Sequence, residues 1–259
     1  MKALVLTYDQ QVGLGQLVLK TYKKHAPNAN LEFLIPINEE STKEHYVSLG
    51  FPIVFVNTPS DILSTMKNLL ARVDDEEWVY WCIDDRYPLS VMDDVFCSLI
   101  NDIDAGKFDH LRGIKMLWWR EQGINSNFEY KDLKFTFQDV EEEYGFWHHQ
   151  FIRAKTLKDF FFTYNEEDIN HIMHINRHHR FNTRSHFISD TVFANKNIVT
   201  FAEPLAKTKL TMNGLAALKS YDCVIPPYEV LDHNMGFVDC EEQLAKFDKP
   251  KRIPDEYFE

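Results

Sequence analysis

Two adjacent carboxylates stand out in this chain of 259 residues: Asp84 and Asp85 directly follow the run Trp78-Val79-Tyr80-Trp81-Cys82-Ile83. Six apolar residues in a row suit a strand buried on both faces. Side chains just past the carboxyl end of such a strand reach the crevice where open α/β sheets bind ligands. Hard oxygen donors at that place suit Mg²⁺ or Mn²⁺, which bind through one or two carboxylates together with substrate phosphates. Asp84 and Asp85 are therefore the metal and diphosphate candidates, and the second of them is the expected direct ligand. The plain alternative is a solvated Asp-Asp turn that caps the next helix. Arg86 comes next in the chain and can face the phosphates or pair with Asp84.

The histidines form a second cluster of chemical interest. Seven of the eleven lie between His148 and His186. His171, His174 and His178 are spaced i, i+3, i+7, so on a helix they share one face and can ligate a metal. The Asn and Arg residues interleaved with them equally suit a solvated polar helix. With Arg177, Arg180 and Arg184 the stretch also reads as a cationic patch for a phosphate or an acidic group.

Charge narrows the partners. There are 28 basic and 40 acidic residues, a formal net charge of −12. Such a field repels nucleic acid and anionic lipid, so a phosphate-bearing substrate needs a metal or a local cationic cluster. At 44% hydrophobic and 26% charged residues the balance is that of a soluble globular protein. No apolar run approaches the ~20 residues that span a bilayer, and the apolar stretch within Met1–Asp9 is too short for a signal peptide. Cys82, Cys97, Cys223 and Cys240 form no C-x-x-C pair, which fits a reducing compartment, and a cytoplasmic protein is expected. The phosphate-binding loop G-x-x-x-x-G-K-[ST], H-E-x-x-H and G-x-S-x-G are all missing, and Gly13-Leu14-Gly15 has Val18 where a dinucleotide fingerprint needs glycine.

The elements that must carry these residues alternate over the first 105 positions. Ala3–Thr7, Leu31–Ile37, Pro52–Val56 and Trp78–Ile83 read as strands. Leu14, Leu17, Val18 and Tyr22 mark a helix, a weaker one covers Thr42–Ser48, and Ile62, Met66, Leu69, Leu70 and Val73 line a third that Ser60 or Asp61 can cap. Pro88 is expected to open a fourth, with Val91, Met92, Val95, Phe96, Leu99 and Ile100 inward. Such alternation implies an α/β fold with an open, mostly parallel sheet flanked by helices. The second half is less regular. His110–Leu117 and Leu133–Phe137 suit strands, the latter paired with the region near Trp118, and Phe151–Phe162 suits an amphipathic helix. No linker splits the chain, so one domain over 1–259 is expected, with a nucleotide-binding half to about 105 and an acceptor-side half after it.

The segment Thr58 to Leu99 resembles the GT-A glycosyltransferases with a DxD-like motif. Pro59-Ser60-Asp61-Ile62-Leu63, then Leu69-Leu70, then the apolar strand ending in Asp84-Asp85-Arg86-Tyr87 is similar to bacterial surface-polysaccharide transferases. Tyr144-Gly145-Phe146-Trp147-His148-His149-Gln150 and the helix ending at Phe160-Phe161-Phe162 resemble the acceptor side of the same enzymes, and Ile198–Gly214 matches faintly. The chain departs from the pattern in having Asp-Asp-Arg for Asp-x-Asp and in lacking a clear Glu-Asp catalytic pair near Trp147.

The resemblance implies a metal-dependent transfer of sugar from a nucleotide sugar to a saccharide or glycolipid acceptor, with Mn²⁺ or Mg²⁺ as cofactor. It implies that Thr7, Tyr8 and Asp9 meet the nucleotide, Tyr8 by stacking and Asp9 at the ribose; Asp61 is a second nucleotide candidate, or simply a helix cap. Asp84, Asp85 and Arg86 serve the diphosphate, and His233 is a late third metal ligand. An inverting member needs a base near the acceptor hydroxyl. His148 and His149 meet that need with an imidazole pKa near ~6.5; Glu141, Glu142, Glu143 and Asp190 are the alternatives. Two other readings stand beside it: a metal-dependent phosphoesterase built on the histidine-rich stretch, and a nucleotide-sugar-binding domain without catalysis.

Overall fold

The computed structural model describes residues 1–47, 49–117, 127–138, 148–162, 190–206 and 209–231. The chain begins with β1 (Lys2–Leu6), α1 (Val12–His25), β2 (Glu32–Ile37), β3 (Ile53–Asn57), α2 (Ile62–Leu70) and β4 (Trp78–Ile83). β5 (Tyr87–Val91) and α3 (Asp93–Asp104) follow. Then come β6 (Gly113–Lys115), β7 (Phe128–Tyr130), β8 (Leu133–Phe137), β9 (Gln150–Arg153), α4 (Ala154–Phe162), β10 (Thr191–Ala194), β11 (Val199–Ala202), β12 (Leu205–Ala206), β13 (Lys209–Leu210) and α5 (Met212–Ser220).

Among the described residues nine strands form one sheet in the order β3-β2-β1-β4-β9-β6-β10-β8-β7. The β3-β2-β1-β4 half is wholly parallel. In the other half β9 and β8 run against their neighbours. The fold is α/β, with a mostly parallel sheet between helical layers.

The period-2 alternation of β4 explains the layers. Trp78, Tyr80 and Cys82 face a core made with Leu14, Leu17, Val18 and Tyr22 of α1 and Phe96, Leu99 and Ile100 of α3. Val79, Trp81 and Ile83 face the other way, onto Leu63, Met66 and Leu69 of α2 and Leu157, Phe160 and Phe161 of α4. A strand buried on both faces has no polar positions, and β4 has none until the sheet ends at Asp84.

Four expectations change. Pro88 does not open a helix: Tyr87–Val91 is a strand, antiparallel to β11, with Pro88 opposite Phe201 next to a register shift. The partner of Pro88, Phe201, comes 113 residues later, so local pattern had no access to it. The helix starts instead at Asp93, where Asp93 and Asp94 in the first turn complement its positive end. The apolar stretch from Phe151 divides into β9, sandwiched between β4 and β6, and the helix α4. Leu133–Phe137 is a strand as expected, but among the described residues its hairpin partner is β7. The turn Lys131-Asp132 has φ of 50° and 61°, the left-handed pair that a tight two-residue hairpin demands. Trp118 lies outside the described residues. The weak helix at 42–48 is a 3₁₀ segment, Glu40–His45.

Candidate active site

The strand order reverses direction at one crevice. From β1 the chain moves outward through β2 to β3, then returns to place β4 on the other side of β1. The carboxyl ends of β1 and β4 thus flank a topological switch point, where open α/β sheets hold ligands. Thr7-Tyr8-Asp9 leaves β1 there, and Asp84-Asp85 leaves β4 beside it. The Asp84 N–H donates to the Leu6 carbonyl at 3.2 Å, so the two strand ends are tied together.

The two carboxylates differ. Asp84 is buried at 7% exposure, on the side of α1. With the Gln11 amide oriented to satisfy both of its ends, its nitrogen donates to Asp84 Oδ2 at 2.7 Å and Oδ1 at 3.1 Å. The Gln11 oxygen then accepts from the Tyr228 hydroxyl at 2.8 Å and the Tyr8 hydroxyl at 3.0 Å. Burial pushes the Asp84 carboxyl well above the usual range; the Thr7 hydroxyl opposes this and the Asp85 charge adds to it. Asp85 reaches solvent. Even so, the surrounding protein raises its pKa by desolvation, against the pull of Arg86. Access decides its chemistry: Asp85 can touch a ligand directly, while Asp84 works from beneath.

The remaining candidates fall into three groups. Thr7 and Tyr8 leave β1 at the crevice, Thr7 buried and Tyr8 39% exposed. Desolvation and the Tyr228 contact raise the Tyr8 phenol pKa, so it stays a neutral donor. Arg86 pairs with Glu203 at 2.6 Å rather than with Asp84.

A second group has structural duties. Asp9 accepts from the backbone N–H groups of Asn38 and Glu39 at 3.0 and 2.6 Å, which anchors the loop after β2. Asp61 is the N-cap of α2 and accepts from Ser64 N at 2.7 Å, which lowers its pKa; such a cap is worth about 1 kcal/mol. His149 is fully buried, with both ring nitrogens engaged: Nδ1 lies 2.9 Å from the Tyr22 hydroxyl and Nε2 lies 2.8 Å from the Ile83 carbonyl. Burial above all pushes its pKa down to about 3.

The third group lies elsewhere or outside description. Asp190 is an exposed turn residue with φ of 63°, and its carbonyl accepts from Arg112 N. Register places it level with Arg112, Arg153 and Trp78, at the start of β4. Six residues of strand, roughly 20 Å, separate that level from Asp84, so the sheet does not bring Asp190 to the crevice. Glu141, Glu142, Glu143, His171, His174, His178 and His233 lie outside the described residues. His148 is half-buried at the carboxyl end of β4; desolvation, then Arg86 and Lys115, lowers its pKa well below the ordinary value.

No family model matches the chain, and no curated protein matches it in sequence. Solved structures do resemble it. The galactosyltransferase LgtC in complex with donor and acceptor sugar analogs aligns over 100% of this chain and 94% of that one, with 11% identity and a TM-score of 0.43. An active-site mutant of LgtC aligns over 74% of this chain and 72% of that one, with 9% identity and a TM-score of 0.41. S. aureus TarS aligns over 77% of this chain but only 36% of its own length, with 12% identity and a TM-score of 0.42.

Gln11 and Tyr228 escaped the sequence reading. Gln11 sits two residues past Asp9, within reach of the strand end, and that proximity was the signal to use. Nothing local ties Tyr228 to this place. The segment 221–228 is laid along α1 by Lys20, whose ammonium donates to the Tyr221 and Asp222 carbonyls, and by Gln16, whose Oε1 accepts from Val224 N at 2.9 Å.

Among the described residues no group of three His, Cys, Asp or Glu side chains converges as a metal set. Two carboxylates nonetheless fit Mg²⁺ or Mn²⁺, because such ions keep waters and take their other ligands from substrate phosphates. The donor set is consistent with that: desolvation raises both pKa values, and a cation beside the carboxylates would offset that loss of solvation. Among the described residues no helix is long and apolar enough to cross a membrane.

Proposed function

We propose that this chain is a GT-A-type glycosyltransferase that moves a sugar from a nucleotide sugar to a saccharide or glycolipid acceptor, in the cytoplasm and in the synthesis of a surface glycan. The observation that carries the reading is the pair Asp84-Asp85 at the carboxyl end of β4, across the switch-point crevice from Tyr8.

In the transfer, the anomeric carbon–phosphate oxygen bond breaks, the acceptor oxygen bonds to that carbon, the nucleoside diphosphate leaves and the acceptor proton passes to a base. Asp85, supported by Asp84, would hold Mn²⁺ or Mg²⁺, which supplies charge neutralisation for the departing diphosphate. Gln11 holds Asp84 in place through its amide, and Tyr8 offers a neutral phenol and a ring face to the donor. Arg86, tied to Glu203 at 2.6 Å, adds positive charge beside Asp85. Of the base candidates that are described, His148 is the one that fits, since His149 has both nitrogens engaged in the core. Desolvation keeps the His148 imidazole neutral, and the same lowering makes it a weaker base than an ordinary imidazole.

The test is a thermal-shift panel of UDP-, GDP-, dTDP- and CMP-sugars with and without Mn²⁺. One of them should raise the melting temperature in a metal-dependent way, and that donor should be consumed when acceptors are supplied. A panel with no stabilising donor overturns the reading; stabilisation without sugar release at any acceptor reduces it to a binding domain.

A further inference from the structure

Where β9 stops pairing with β4, a side chain takes over. The ladder between these strands ends at Trp81 opposite Gln150. Ile83, two residues on, has a buried carbonyl that needs a donor. His149 Nε2 lies 2.8 Å from it. A carbonyl only accepts, so Nε2 carries the proton and donates, and Nδ1 holds a lone pair that accepts from the Tyr22 hydroxyl at 2.9 Å. Tyr22 in turn makes a short hydrogen bond with the Tyr80 hydroxyl. The ring is packed by Tyr22, stacked at 5.9 Å, and by Phe201 of β11, edge-on at 4.6 Å.

The carbonyl of Ile83 and the N–H of Asp84 belong to one planar peptide unit. His149 holds its oxygen and the Leu6 carbonyl holds its N–H. We infer that His149 is a positioning residue for the acidic pair: with Tyr22 setting its tautomer, it clamps the 83–84 peptide and thereby aims Asp84 and Asp85 into the crevice. The inference rests on the reading of those carboxylates given above, and assigns His149 no contact with substrate.

Three variants test it: Tyr22→Phe, which keeps the ring and removes the donor; His149→Leu; and His149→Gln, whose amide can still donate to Ile83. Two readouts apply, the backbone amide resonances of Asp84 and Asp85, and the affinity for Mn²⁺ alone. Tyr22→Phe and His149→Leu should move both resonances while those of β8 stay put, and should weaken Mn²⁺ binding about 10-fold, the usual scale for groups that orient metal ligands. His149→Gln should recover most of that affinity. Tyr22→Phe keeps the inference testable if His149→Leu does not fold. Unmoved Asp84 and Asp85 amides in Tyr22→Phe overturn the inference, as does unchanged Mn²⁺ affinity in a variant whose parent binds the ion. A parent that binds no Mn²⁺ sinks the metal reading instead, and the amide shifts still decide the positioning role.

Discussion

The hydroxyls of Tyr8 and Tyr228 lie 2.8 Å apart, joining residues 220 positions distant in the chain. Both also face the Gln11 amide, whose nitrogen reaches Asp84. A late segment thus closes on the strand-end carboxylates through three side chains. Tyr228→Phe deletes one hydroxyl without opening a cavity. Stability should fall by about 1 kcal/mol, and KM for the nucleotide sugar should rise more than kcat falls. Steady-state kinetics over donor concentration check this, and an unchanged KM would leave Tyr228 a purely structural role.

Gly13 concerns the same segment. A Cβ built there would lie 1.6 Å from the Val224 carbonyl oxygen, so the segment sits against the bare backbone of α1. In an unobstructed helix Gly→Ala would stabilise by up to ~1 kcal/mol. Here Gly13→Ala should destabilise by roughly 1–3 kcal/mol, as overpacking does, and should weaken donor binding because Tyr228 is displaced. A thermal melt decides the sign.

Asp85→Ala should abolish transfer and metal-dependent donor binding. The side chain is exposed and packs no core, so unliganded stability should stay within about 0.5 kcal/mol of the parent. Activity in the variant would remove Asp85 from the site.

His148→Ala should lower kcat by ~10²–10⁴, the worth of a positioned proton acceptor, with little change in donor affinity. Near-normal turnover would return the role to Glu143, which lies outside the described residues.

Stability should fall in acid because of His149. Its pKa is about 3 when folded against an ordinary ~6.5 when unfolded. Between those values the unfolded chain binds a proton that the folded chain excludes, so stability is intact above pH ~6.5 and declines below it. From pH 6.5 to 5 the loss from this group is about 1.6 kcal/mol. Denaturant unfolding at both pH values, for the parent and for His149→Gln, should show a smaller loss in the variant.

The sequence by itself determined the β1-to-β4 half and the place of the acidic pair. Trp78–Ile83 carries six apolar residues because both of its faces are covered, and Asp84-Asp85 could only mark where that cover ends. Hydrophobic spacing is a local signal, and it sufficed for β4, β8 and α2, whereas the choice of Asp61 over Ser60 as the cap of α2 came from the structure. Tertiary structure decided what depends on distant partners. Pro88 lies in a strand because β11 pairs with it, and Gly13 and Gly15 serve close approaches, to Val224 and to the Tyr46 hydroxyl, rather than a phosphate. It also separated His148 from His149, neighbours of one residue type that sequence could not distinguish. His149 is turned into the core, onto Tyr22, Tyr80 and Phe201, while His148 is only half-buried. Burial and hydrogen-bond partners fix a histidine's chemistry, and both are properties of the folded neighbourhood rather than of the residue.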